Sequence, residues 1–271
     1  MNSLSLRDRF YLWRMKLKSK FRALLLGESV KALLVDTNQG VFVVDPLDMG
    51  VGNTLLQNGS YDEETLRKWC EILNDQSSVL VVGGHIGSLA VPLSKSCAHV
   101  DVIEANPETF KLLSYNVGIN NCDNIKLHNY AAGESTGELE MLVSRVNSGG
   151  SKRKPKTESL LYTYDNPEVI KVPMVVLDDH LLNKNYELII MDIEGSEYFA
   201  LKGMSSLLSK CRYLQIEYLG HHLENVANVS KQEFFALITK FFRNMELNSE
   251  LVLVEGIDIH QIEDGDLVFS K

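Results

Sequence analysis

The sequence predicts an α/β fold: a doubly wound, mostly parallel sheet with an antiparallel last strand pair, preceded by an N-terminal helix and β-hairpin extension. Three observations carry this expectation. From Val79 onward short apolar runs, SVLVV, HVDVIE, YELIIMD and YLQIEYL, are each followed by a helical pattern. Continuous β-branched runs separated by helices mark parallel strands buried on both faces. A glycine-rich turn, VLVVGGHIGSLA, joins the first run to its helix, and the tail closes with LVLVEG and DLVFS, which suggest an antiparallel final pair.

Taken in order, Leu6, Phe10, Trp13, Leu17, Phe21 and Leu24 recur at three- and four-residue steps and form one stripe of an amphipathic helix with basic residues around it. The stripe is expected to pack on its own domain or on a partner subunit, while its basic rim leaves open an interfacial membrane helix or, in a eukaryote, a transit peptide. KALLVDTNQGVFVVD alternates around Asn38-Gln39-Gly40 and predicts a hairpin. Ser60 and Glu63 have capping-box spacing, which starts a helix at Tyr61. Further helices are expected from Ser88, over Pro107 to Val117, over Ser196 to Leu208 and over Lys231 to Phe242. IKLHNYAA, GELEMLV and VIKVPMVV supply one parallel strand and an added hairpin, and Asn147 to Lys156 reads as a flexible loop. The expected division is residues 1–58 for the extension and 59–271 for the sheet domain.

At 271 residues and 45% hydrophobic, the chain can bury one sizeable core. Cys70, Cys97, Cys122 and Cys211 are scattered singly, so neither a disulfide framework nor a metal site is expected, and a cytoplasmic setting fits best. No apolar run approaches a membrane span. The net charge of −9 is uneven, because Arg7, Arg9, Arg14, Lys16, Lys18, Lys20 and Arg22 face only Asp8 in the first 22 residues. The acidic remainder repels phosphates, so a nucleic acid would have to engage that arm or the run Lys152, Arg153, Lys154, Lys156, and it is not the expected partner.

A strand, a glycine turn and a helix bring backbone amides and a helix N-terminus against a nucleotide-like ligand. The dinucleotide fingerprint is incomplete here: with Gly84 and Gly87 as its second and third glycines, Val82 stands where the first belongs. A nicotinamide enzyme is thereby disfavoured. Glu104 ends the next strand 21 residues after Gly83, where an acid can accept both hydroxyls of a ribose, as an adenosine-type cofactor requires. Its competing reading is a surface carboxylate beside the helix that begins at Pro107.

Several segments in fixed order, GGHIG, IEANPETFKLLSYN, NYAAGESTGELEM, VVLDDHL, MDIEGSEYFALKGM and LQIEY, resemble the FkbM methyltransferase family, and LQNGSYDEE is similar to its segment ahead of the glycine loop. The resemblance spans about Gly59 to Tyr218. It implies a Rossmann-like sheet that binds S-adenosylmethionine, with Tyr61, Gly83, Gly84, His85, Gly87, Glu104, Ala105, Asn106, Ala131 and Asp192 toward the cofactor. It also implies methyl transfer, usually to a hydroxyl oxygen. The chain departs from the family turn D-V-G-A-N-I-G in carrying Val81 for the acid and His85 for the asparagine.

Methyl transfer requires alignment of donor and acceptor and, for a hydroxyl, removal of its proton. Asp192, Glu194 and Glu217 stand at strand C-termini, followed by Tyr218, His221 and His222, and these five candidates, the three acids and two histidines, are the catalytic set. Either histidine suits a neutral-pH base. Plainer readings exist: Glu194 as a cap for the helix near Ser196, Glu217 paired with a lysine, Asp178 and Asp179 as capping residues of LDDHLL, and no role for His180. The expected acceptor is a small sugar-like or natural-product hydroxyl or carboxyl, in a pocket built from Ser144 to Asn166. The alternative is a non-catalytic S-adenosylmethionine-binding homologue serving as an interaction module, motivated by Val81 and His85.

Overall fold

The computed structural model describes residues 5–27, 29–157, 159–247 and 250–271. Its chain order is α1 (Leu6–Leu26), β1 (Leu33–Thr37), β2 (Gly40–Val44), α2 (Val51–Asn58), α3 (Glu63–Ile72), β3 (Ser78–Val82), α4 (Ala90–Leu93), β4 (His99–Ile103) and α5 (Pro107–Ile119). There follow β5 (Ile125–His128), β6 (Ala131–Ala132), β7 (Gly137–Val143), β8 (Lys152–Arg153), α6 (Leu160–Thr163), β9 (Glu168–Val175), α7 (Leu177–His180), β10 (Leu188–Met191), α8 (Glu197–Lys202) and α9 (Ser205–Lys210). The last elements are β11 (Tyr213–Tyr218), α10 (Gly220–His222), α11 (Lys231–Ile238), β12 (Asn244–Leu247), β13 (Glu250–Leu253) and β14 (Gly265–Ser270).

The main sheet has the order β13-β12-β14-β11-β10-β3-β4-β5. β3, β4, β5, β10 and β11 run parallel, and β14, β12 and β13 are antiparallel. The continuous apolar strands have the cause the sequence suggests: on β3, Leu80 and Val82 enter one core while Val79 and Val81 enter another on the opposite face. β10 divides in the same way, Ile189 and Met191 against Leu188 and Ile190. The chain leaves β3 toward β4 on one side and reaches β10 on the other, so the strand order reverses between β3 and β10, and a crevice opens above their C-terminal ends.

The N-terminal hairpin forms as expected and is held on α5 by Asn116 and Asn120, whose side-chain oxygens accept from the Val43 and Val41 amides at 2.6 and 2.9 Å. Other expectations are corrected. The cap of α3 is Asp62, with φ 45 and a side chain accepting from the Thr65 amide, so the helix starts at Glu63 and not at Tyr61. The helix expected from Ser88 is one turn, since Pro92 has no amide for the Ser88 carbonyl. The helix expected over Ser196 to Leu208 breaks at Gly203, whose backbone lies so close to the Gly133 carbonyl that a Cβ would meet it at 2.0 Å. The one expected to reach Phe242 stops at Ile238.

The hairpin expected as an addition to the main sheet instead forms a separate four-stranded sheet, β6-β9-β7-β8. The two tail strands do not pair with each other; β12, a short and half-polar NMEL, lies between them. The helix α1 also presents the opposite face to that expected. Leu12, Met15 and Ser19 are its buried residues, while Leu6, Phe10, Trp13, Leu17, Phe21 and Leu24 are exposed.

Candidate functional site

Above the β3 and β10 ends lies a cleft of about 990 Å³, open to solvent and lined by Tyr61, Gly83, Gly84, His85, Glu104, Ala105, Ala131, Lys152 and Asp192 among others. Gly83 (φ 91) sits against the Asp192 carbonyl, where a Cβ would meet the oxygen at 1.8 Å, so only glycine lets the turn close there. His85 also has positive φ (47), a conformation that Asn, Asp and His adopt more readily than other side chains, which accounts for histidine in the family's asparagine position. Tyr61 is clamped by Gln39 of the hairpin turn, whose side-chain amide bonds both its N–H and its carbonyl at 2.9 and 2.7 Å.

Four amides of the glycine turn are spent within the protein. Those of Gly83 and Gly84 donate to the Ile103 carbonyl, that of Gly87 to Gly84, and that of His85 to Glu104. A carboxylate stands beside these occupied amides. Glu104 is buried, accepts from the His85 amide at 2.8 Å and the Asn106 amide at 2.7 Å, and retains a lone pair on each oxygen. Burial pushes its pKa up to about 7 against the pull of those amides. Gly87 and Asn106 stay off the cleft wall; Asn106 caps α5, accepting from the Glu108 amide ahead of Pro107. His85, which burial keeps neutral, lines the cleft, and its buried Nδ1 has no hydrogen-bond partner among the described residues. A vicinal diol acceptor at the tip of β4, an unpartnered imidazole nitrogen and apolar walls at Val81, Leu89 and Ile103 fit an adenosyl group.

Across the cleft, Asp192 is open to it although protein surrounds it. That burial, with Glu217 and Glu194 nearby, raises its pKa well above the carboxylate range. Asp192 and Glu217 lie close enough to act on each other's titration, and the Glu217 carboxylate favours the protonated form of Asp192. Glu217, half-buried, is raised to about 7, first by burial and then by Glu194. The turn that follows holds Glu194 (φ 56) and Gly195 (φ 96), and a Cβ on Gly195 would press on Val226 and His222 at 2.9 and 3.0 Å. The cap of the following helix is not Glu194: Glu197 accepts from the Ile193 amide at 2.9 Å. Asp178 does cap a helix, but α9 and not its own, accepting from Ser206 and Leu207.

A second cavity of about 740 Å³ adjoins the first and is lined by Tyr162, Tyr164, Asp165, Glu194, His221 and His222, with α1 covering it through Tyr11, Leu12 and Met15. Lys152 borders both spaces. It is buried, bonds Glu194 at 2.9 Å and reaches His222 Nε2 at 3.3 Å. The segment read as a flexible loop is thus pinned over the site: the Ser148 amide donates to Asp48 at 2.9 Å and its hydroxyl meets His85 Nε2 at 2.7 Å. Arg153 stacks on Phe199, and Lys154 pairs with Glu140. Sequence reasoning missed Lys152 because glycines and like charges around it have the composition of a loop; the clue was an apolar-alternating partner strand, GELEMLV, needing a mate. The histidines do not reach the cofactor cleft. Burial and the Lys152 ammonium hold His222 far below its ordinary pKa, and burial lowers His221 as well. Glu194, Glu217 and His222 are close enough to share a cation, but the Lys152 ammonium already sits on Glu194.

Among known structures the fold is similar to an FkbM methyltransferase from Methylobacillus flagellatus KT (20% identity, TM-score 0.43), over 73% of this chain and 44% of that one. This chain thus spans less than half the length of that protein. It is also similar to M. jannaschii TYW2 in complex with AdoMet (13% identity, TM-score 0.47, 89% of this chain and 85% of that one). A third likeness is to SMU.1697c, a putative methyltransferase from Streptococcus mutans in complex with SAH (9% identity, TM-score 0.43, 76% and 94%). No curated protein matches the sequence. The family model described as the Methyltransferase FkbM domain matches residues 82–247, from the end of β3 to the end of β12 and more than half of the chain. The chain belongs to the FkbM methyltransferase family, and its cofactor is S-adenosylmethionine.

Proposed function

We propose that the protein methylates a hydroxyl oxygen of a small, polar, sugar-like acceptor held in the second cavity. The observation that carries this is Asp165. Its Oδ2 accepts from the Ser144 hydroxyl and from the Arg145 and Val146 amides, while its buried Oδ1 has no partner among the described residues. A fixed acceptor oxygen beside Tyr162 and Tyr164 suits a ligand rich in hydroxyls and apolar ring faces.

S-adenosylmethionine, when bound, supplies an electrophilic methyl group. The protein's own part is positional and basic. Glu104 receives the ribose hydroxyls; Lys152 fixes Glu194 at the passage between the two cavities; and Asp192, made more basic by burial and by Glu217, takes in its ionised form the proton the acceptor oxygen gives up as its bond to the methyl carbon forms. The depressed pKa values of His221 and His222 assign them to the acceptor wall in this reading and leave the proton to the carboxylates. A nucleic acid acceptor is disfavoured at the second cavity, because Lys152, Arg153 and Lys154 beside it are committed within the protein, and the α1 cations in no ion pair among the described residues flank that helix's outward-facing stripe. The test is incubation with methyl-labelled donor and a panel of sugars and hydroxylated small molecules, followed by mass spectrometry of the product. A methyl ether stable to mild base is expected; a base-labile ester or an N-methyl product would overturn the reading.

A further inference from the structure

The helix α1 carries two faces with different tasks. Leu12, Met15 and Ser19 make the seam that holds it to the body, where the Ser19 hydroxyl donates to the Leu47 carbonyl at 3.0 Å and Lys16 to the Tyr164 carbonyl at 3.0 Å. Arg22 completes the attachment through Asn53 at 2.6 Å. About 160° around the helix from that seam lies the stripe of Leu6, Phe10, Trp13, Leu17, Phe21 and Leu24. These six side chains are 50–85% exposed, and the Phe10 and Trp13 rings lie together at 5.7 Å. Six large apolar groups in one line on a helix that is otherwise firmly attached form an unpartnered surface.

The charges beside the stripe say what covers it. At 100° per residue, Arg9 and Lys20 fall along one edge, and Arg7, Arg14 and Lys18 along the other. All five are exposed, and none forms an ion pair among the described residues. An apolar line between two rows of cations, with Trp and Phe in it, matches an anionic bilayer surface, whose acyl boundary takes the apolar line while its phosphates meet both rows. A second copy docked stripe to stripe would set those rows against each other. Among the described residues no helix is long and apolar enough to cross a membrane. We propose that α1 is an in-plane anchor that docks the folded protein on an anionic lipid surface through this stripe, leaving the seam and the site beneath it intact.

The two tryptophans make the test specific. Trp69 is fully buried with its Nε1 bonded to Gln215, whereas Trp13 is 57% exposed, so a change in emission on adding lipid reports α1. The full chain is mixed with vesicles of phosphatidylcholine alone or with 30 mol% phosphatidylserine, and binding is followed by sedimentation and fluorescence. Expected are binding to the anionic vesicles with a blue shift, and loss of both in Leu17→Glu. Replacing Arg14, Lys18 and Lys20 by Gln should weaken binding about a hundredfold, roughly fivefold per cation. Unchanged melting temperatures would show that both variants remain folded. Equal binding to neutral vesicles, or undiminished binding by both variants, overturns the proposal. So does an absence of vesicle binding together with self-association that Leu17→Glu abolishes, which would assign the stripe to a second copy.

Discussion

Asp192 follows the last residue of β10, Glu217 follows Ile216, the partner of that residue on β11, and Asp266 stands opposite Glu217 on β14. Acids placed this close cannot all be ionised near neutrality, so Glu217 is pushed up to about 7, and burial together with its charge holds Asp192 protonated well above the usual carboxylate range. If Asp192 is the base, kcat/KM rises with pH along a limb displaced well above the usual carboxylate range. Asp192→Ala should lower it by about a hundred- to ten-thousand-fold, and Glu217→Gln, by removing the opposing charge, should move the limb to lower pH. Profiles that instead follow His221→Ala or His222→Ala would return the proton to the imidazoles. Glu197 offers a prediction on stability. Burial raises its pKa from 4.5 to about 8, so the folded state holds a proton that the unfolded state releases, and stability falls as pH rises from about 4.5 through 8. Glu197→Gln keeps an oxygen for the Ile193 amide and should flatten that fall in melting temperatures measured between pH 5 and 9. Of these acids, Asp192, Glu194 and Glu217 were legible because strand ends can be read from apolar runs. Their effect on each other's titration was not, because it depends on strand neighbours far apart in sequence.

At the scale of the element, α1 shows how far periodicity reaches. The three- and four-residue spacing found the helix, yet its most apolar stripe is the one facing out, and the buried seam is the shorter set Leu12, Met15 and Ser19. Burial, not hydrophobicity, then sets the cost of truncation. Leu12→Ala or Met15→Ala should destabilise by about 2 kcal/mol, while Leu17→Ala stays within about 0.5 kcal/mol, as denaturant melts can check. Equal costs would mean that the stripe is covered in solution. The helix at Ser60 was misread for a local reason: Ser60 and Glu63 have the right spacing, but Asp62 turns left-handed and caps first. β12 was missed because four half-polar residues carry no period, and it becomes a strand only through its two neighbours.

For the molecule as a whole, strand order determines function, because the reversal between β3 and β10 sets Gly83, Glu104 and Asp192 around one crevice. That much was legible, since a run of buried parallel strands admits few topologies. What surrounds the crevice was not: the second sheet, the pinned Ser148–Lys152 segment and the adjoining cavity are tertiary arrangements of residues that read locally as loop. The charge map follows the same logic, with five exposed cations along α1 in no ion pair among the described residues, while Lys152 and Lys154 near the site are neutralised by Glu194 and Glu140. The account rests on Glu104 as the acid that reads the cofactor's ribose at the tip of β4. Calorimetry with S-adenosylhomocysteine, on the wild type and on a folded Glu104→Ala variant, tests it most directly. Binding by the wild type that weakens by about 1.5–3 kcal/mol in the variant is the predicted result; equal affinity in the two proteins, or no heat with the wild type, would contradict it.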